Sequence, residues 1–170
     1  KNELFHWILT LAIAVIIALC VNRFVLVNAE IPSGSMENTI MTGDRVFGNR
    51  LAYIFGEPKR FDIIIFRYPD DEKQLFIKRI IGLPGETVEI HDGQIFIDGS
   101  KTPLKDVTTK EFMQGSLGPY TVPDNCYFVM GDNRNNSKDS RYWEHTFVTD
   151  DEIVGKAFLR YWPLNKIKFL

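Results

Sequence analysis

A mainly β fold, a coiled antiparallel β-sheet domain led by one N-terminal transmembrane helix, is the class that this sequence predicts. Three observations carry the prediction. The chain opens on one apolar run without a formal charge, then breaks into short segments rich in Ile, Val, Phe and Tyr. Gly, Pro and Asp turn signals bound those segments. No helical periodicity longer than two turns follows residue 50. A length of 170 residues suits one compact domain plus an appendage and can bury a real core.

The first element is the run Leu4–Val21, "LFHWILTLAIAVIIALCV", in which only His6 and Thr10 are clearly polar. As a helix it spans about 27 Å, slightly short of a hydrocarbon core of about 30 Å. Arg23 can snorkel, Trp7 can sit at an interface, and Phe24–Val27 extends the apolar length. Residues 1–27 are therefore read as a membrane anchor, and residues 28–170 as a β-rich domain. Two other readings stay open: a buried core helix, and a cleavable secretory signal, since "AIA" and "VNA" mimic small-x-small cleavage sites. Lys1 and Arg23 nearly balance across the run, so charge leaves its orientation open.

The strands follow in order. "DIIIF" (Asp62–Phe66), "LFIKRIIG" (Leu75–Gly82), "TVEIHDGQIFIDG" (Thr87–Gly99), "CYFVMG" (Cys126–Gly131) and "IVGKAFLRYW" (Ile153–Trp162) carry the β-branched and aromatic enrichment. Asp92-Gly93 supplies the positive-φ pair of a tight hairpin turn, and Pro84-Gly85 punctuates two further strands. The polar stretch from Ser100 to Tyr120 reads as an exposed hairpin or loop.

Composition excludes several classes. A net charge of −2 with interspersed signs offers no basic stripe, so nucleic acid is not an expected partner. Cys20 lies in the apolar run and Cys126 in a strand, which makes no disulfide framework. The sequence has no zinc-ligand spacing and no phosphate-binding glycine loop, so neither a metal nor a cofactor is expected.

Just beyond the apolar run, "EIPSGSMENT" sets Ser33 and Ser35 on either side of a glycine. A serine becomes a useful nucleophile only with a base in hydrogen-bond reach. His6 sits in the apolar run, His91 beside a hairpin turn and His145 in "WEHTF", so a histidine base is poorly supplied. Lysine is the other option. In "LFIKRIIG", Lys78 shares an apolar strand face with Phe76 and Ile80, while Arg79 faces the other side. Burial there disfavours the charged ammonium and lowers its pKa. The competing reading is a strand lysine that snorkels to water.

The third cluster is "MGDNRNNSKDSRYW", Met130–Trp143. Asp132, Asn136 and Asp139 could be calcium donors, but Arg134, Lys138 and Arg141 would repel the ion. A structural network fits better: Asp139 can pair with Arg141, Asp132 can neutralise Arg79, and Ser137 can hydrogen-bond a buried amine.

Together, "PSGSM" after an apolar segment, "FIKRIIGLPGE" about forty residues on and "GDNRNNSKDSRYW" resemble the type I signal peptidases. These are membrane-bound serine–lysine proteases that remove leader peptides from secretory pre-proteins. The resemblance runs from the anchor to Trp162. It implies Ser35 as nucleophile, Lys78 as general base, and Ser33 with the Ser35 N–H as oxyanion hole. Ser137 is then expected to orient the lysine, with Asp139–Arg141 and Asp132–Arg79 as supporting pairs. Ile31, Pro32, Met36, Ile40, Phe76 and Ile77 are expected to line shallow pockets for small side chains at the −1 and −3 positions. The implied fold is two coiled antiparallel sheets. The implied partners are pre-proteins and the lipid bilayer, with a single pass through a bacterial cell membrane and the catalytic domain on its extracytoplasmic face.

Two positions depart from the family pattern. Asn38 stands where a proline often follows the Ser-Met pair, and Phe61 precedes Asp62 where glycine is more usual. Neither is expected to touch the chemistry. The short 100–120 segment implies that the second domain of larger members is reduced. Two rivals remain at this level: a self-cleaving repressor-type serine–lysine protease, and a catalytically silent tethered β-domain that only binds leader peptides.

Overall fold

The computed structural model describes residues 2–54, 56–105 and 113–170. Helix α1 spans Asn2–Cys20, and a π-helical turn, Val21–Val25, continues it. The stretch Glu3–Val25 has a mean hydropathy of 2.6, and its most apolar window buries nothing against the rest of the protein. The buried-core reading of this helix therefore fails.

The body is built from antiparallel strands, eleven among the described residues: β1 (Leu26–Glu30), β2 (Arg45–Asn49), β3 (Ile63–Tyr68), β4 (Asp71–Gly82), β5 (Thr87–His91), β6 (Gln94–Ile97), β7 (Leu117–Thr121), β8 (Cys126–Met130), β9 (Val148–Thr149), β10 (Ile153–Trp162) and β11 (Lys168–Phe169). An eight-stranded sheet runs β1-β2-β10-β3-β4-β8-β9, with β11 on β10; a second sheet runs β6-β5-β7. Register shifts in β10 and β4 mark where the larger sheet coils. The two-sheet, mainly β expectation holds.

Strand β3 shows why the core divides. Its sequence, IIIFRY, has no polar alternation because both faces are covered. Ile63 and Ile65 pack into one cluster with Val27, Ile31, Met36, Ile40 and Val46. Ile64 and Phe66 point the other way, into a cluster with Ile80, Tyr127, Val129 and Trp143. A third cluster, around Ile81, Val88, Ile90 and Phe128, joins the small sheet to the large one.

The hairpin forms as expected, with Asp92 at φ 48° and Gly93 at φ 78° between β5 and β6. The 100–120 expectation needs a partial correction. Residues 106–112 lie outside the described residues, but Leu117–Thr121 is a strand paired with β5. Gly118-Pro119 reads as a breaker in sequence. At the sheet edge a proline is tolerated because no partner needs its missing N–H.

Candidate active site

Ser35 sits in a single helical turn, Gly34–Met36, immediately after β1. Met36 is fully buried and plugs the turn into the first core cluster, and Ile40 does the same four residues on. Both were expected in a substrate pocket; neither lines the cleft. Asn38, between them, adopts φ 89°, a region closed to proline, so the departure from the family pattern has a local backbone reason.

Lys78 reaches this turn from β4. Its side chain is 4% exposed, and Nζ donates to Ser35 Oγ at 2.7 Å and to the Ile77 carbonyl at 3.2 Å. The ammonium also lies 5.4 Å from the centre of the Phe76 ring. The snorkelling reading is thus excluded. Burial pulls the Lys78 pKa down to about 8. Asp139 and Asp132 pull it back up and Arg141 pushes it lower, but desolvation is the largest effect. Ser33 Oγ, more exposed, donates to Ser35 Oγ at 3.4 Å.

The loop after β8 supplies the surroundings. Arg79 binds Asp132 through Nε at 2.8 Å and a terminal nitrogen at 2.6 Å, and Thr39 donates to the same carboxylate. Arg141 grips Asp139 at 2.7 and 2.8 Å, and Asp139 also accepts the Gly131 N–H at 2.9 Å. Both predicted ion pairs are therefore present, and both are buried. Ser137 behaves differently from expectation. Its Oγ is buried with no hydrogen-bond partner among the described residues, and the Lys78 amine is held by Ser35 and Ile77 instead.

Sequence reasoning missed three features here. A Cβ on Gly131 would lie 2.3 Å from Ser137 Oγ and 2.4 Å from the Ser35 carbonyl oxygen, so only glycine fits between them. Asn133 donates to the carbonyls of both Gly34 and Ser35, each at 3.0 Å. Phe61 sits at φ 70°, and its carbonyl accepts Arg79 at 2.8 Å, so this departure does border the supporting network. The first two are close approaches across about a hundred residues and leave no local pattern. The third had a signal, because a position that prefers glycine implies positive φ.

Ser35 and Lys78 line a cleft of about 510 Å³. Its walls come from Asn28–Glu30 of β1, from Gln74–Ile77 of β4, and from Ile31, Pro32 and Ile65. Of the six predicted pocket residues, Ile31, Pro32, Phe76 and Ile77 do line it. Strand β1 pairs only with β2, and β4 meets β8 only from Arg79 onward. Each wall thus offers a strand edge without a strand partner among the described residues. A larger cavity, about 750 Å³ beside Tyr53, Leu83 and Tyr127, is lined by no serine, lysine or histidine among the described residues. His91 pairs with Glu89 and His145 with Asp70, both away from Ser35.

A serine hydroxyl in contact with a buried, carboxylate-free amine, on a β-rich fold with an open strand-edged cleft, is the layout of a serine hydrolase. The family model described as signal peptidase, peptidase S26, matches residues 4–162. Signal peptidase I of Leptolyngbya laminosa is 39% identical over 98% of this chain and 83% of its own. Signal peptidase I S of Bacillus subtilis is 36% identical over 99% and 94%. A crystal structure of a signal peptidase I from Enterococcus faecalis aligns with a TM-score of 0.50 at 38% identity, covering 59% of this chain and 96% of that one. The chain belongs to the signal peptidase family, peptidase S26, and is a serine protease of the kind that cleaves signal peptides.

Proposed function

We propose that this chain is a membrane-anchored endopeptidase that removes N-terminal signal peptides from secretory pre-proteins, with Ser35 as nucleophile and Lys78 as general base. The observation that carries the reading is the 2.7 Å contact between the Lys78 amine and the Ser35 hydroxyl in a buried setting. Residues 1–27 form the anchor and residues 28–170 the protease domain. The apolar helix Glu3–Val25 runs directly into β1, the strand that leads to Ser35, which favours a retained anchor in one pass. The domain then works on the extracytoplasmic face of a bacterial membrane, where leader peptides emerge.

The substrate's extended segment adds between the free edges of β1 and β4, with backbone hydrogen bonds for affinity. Ile31, Phe76, Ile77 and Ile65 leave room for small side chains at −1 and −3, and larger ones clash. With Lys78 neutral, the Ser35 hydroxyl donates to Nζ. Ser35 Oγ bonds to the scissile carbonyl carbon as its proton passes to the amine, and the carbonyl oxygen takes the negative charge. Ser33 Oγ–H and the Ser35 N–H are the donors at that oxygen. One such donor is typically worth about 3 to 4 kcal/mol in the transition state. Protonated Lys78 then gives its proton to the leaving amine, and the neutral base activates water to hydrolyse the acyl–serine ester.

Cleavage of a pre-protein by the full chain in membranes tests this reading. Ser35→Ala and Lys78→Ala are expected to abolish processing while each folds. Full processing by either variant would overturn it.

A further inference from the structure

The geometry assigns Asn133 as a positioning residue that aims the Ser35 N–H, a role resting on the reading of Ser35 as nucleophile. Asn133 Nδ2 donates to the Gly34 carbonyl at 3.0 Å, and its backbone N–H donates to the Ser35 carbonyl at 3.0 Å. The Gly34 carbonyl and the Ser35 N–H belong to one peptide plane, and in a trans peptide they point in opposite directions. Holding that oxygen from the β8 loop therefore turns the Ser35 N–H away from Asn133. In the first turn of a short helix this N–H has no intrahelical acceptor, so it is left as a donor. The second bond fixes the next plane and stops the turn from pivoting.

The turn's own bond, from the Glu37 N–H to the Gly34 carbonyl at 3.1 Å, holds the same oxygen. The plane's first residue is nonetheless glycine, the residue with the widest backbone freedom, and Asn133 adds a hold from outside the turn. The neighbouring Asp132 fastens the far end of the same segment through Thr39, and ties it to β4 through Arg79, next to Lys78. Asn133 thus sets the direction of the donor, and Asp132 its distance from the base. Asn133 touches no reacting atom, so its effect passes through Ser35.

The test compares wild type, Asn133→Ala, Asn133→Asp, Asn133→Ser and Ser35→Ala in full-chain protein on a leader-peptide substrate. Expected for Asn133→Ala and Asn133→Asp are a 10- to 100-fold fall in kcat and a KM within twofold. The midpoint of the pH–rate profile stays unshifted and Tm stays within a few degrees. Wild-type kcat in Asn133→Ala and Asn133→Asp overturns the assignment, as does a loss confined to KM. If Asn133→Ala alone fails to fold, Asn133→Asp and Asn133→Ser decide by the same criteria. Failure of all three to fold makes Asn133 a structural residue and also overturns the assignment. Processing by Ser35→Ala would instead overturn the nucleophile reading, which keeps the two failures apart.

Discussion

Two lysines flank one isoleucine and do opposite things. Ile64 on β3 stands opposite Lys78 on one side and Lys156 on the other. Lys156 binds the Asp62 carboxylate at 2.6 Å, with its side chain 40% exposed. Lys78 is almost fully buried, and its closest polar neighbours are a hydroxyl and a carbonyl. The nearby carboxylates of Asp132 and Asp139 are each bound to an arginine. Neighbouring positions on one sheet thus yield a structural cation and a candidate base. What separates them is whether burial comes with a carboxylate partner.

The strongest way to break this comparison is to make the candidate base permanently charged. Lys78→Arg keeps a cation on β4 but cannot release its proton, so peptide cleavage should fall by roughly 1,000-fold at any pH. Measurable turnover close to wild type would reduce Lys78 to a charge. A second approach leaves both lysines and disturbs only the space around one. Gly131→Ala forces the Ser35 main chain and Ser137 apart. It should lower kcat by about 100-fold and cost about 1 to 3 kcal/mol in a denaturant melt. The smallest effect belongs to the other lysine. Lys156→Ala should leave cleavage within twofold and change stability by about 1 kcal/mol or less, because its ion pair is partly in water.

Much of this was legible in the sequence because it is local. Strand β4, the Asp92-Gly93 hairpin and the apolar helix follow from periodicity and turn chemistry within a few residues. The Asp139–Arg141 pair is equally close in sequence. Elimination, through the poor supply of histidines and the apolar strand around the lysine, raised Lys78 as a base beside the snorkelling alternative; that Ser35 rather than Ser33 is its partner came only from the resemblance to the type I signal peptidases. Met36 and Ile40 were misplaced because an apolar residue beside a nucleophile can face the cleft or the core, and only the turn after β1 decides. Asn133 and Gly131 were missed for a different reason. Their roles are contacts with residues 34 and 35, which no spacing within "GDNRNN" encodes. Phe61 holds a positive φ, the conformation that glycine adopts most readily, so the glycine usual in the family pattern was a backbone signal at this position.

Lys78 also ties stability to pH. Its folded pKa, about 8, lies below that of the unfolded chain, near 10.5. Between those values the unfolded state binds more protons, so the contribution of this group to stability rises with pH. Below pH 8 the buried ammonium opposes folding in full.

The most direct measurement is the titration of the Lys78 amine itself, followed by NMR of the folded protein labelled at its lysines and assigned with Lys78→Arg. A midpoint near pH 8, matching the rising limb of kcat/KM, is the predicted result. A Lys78 amine that is still fully charged at pH 10, while cleavage has already reached its plateau, would contradict a lysine general base.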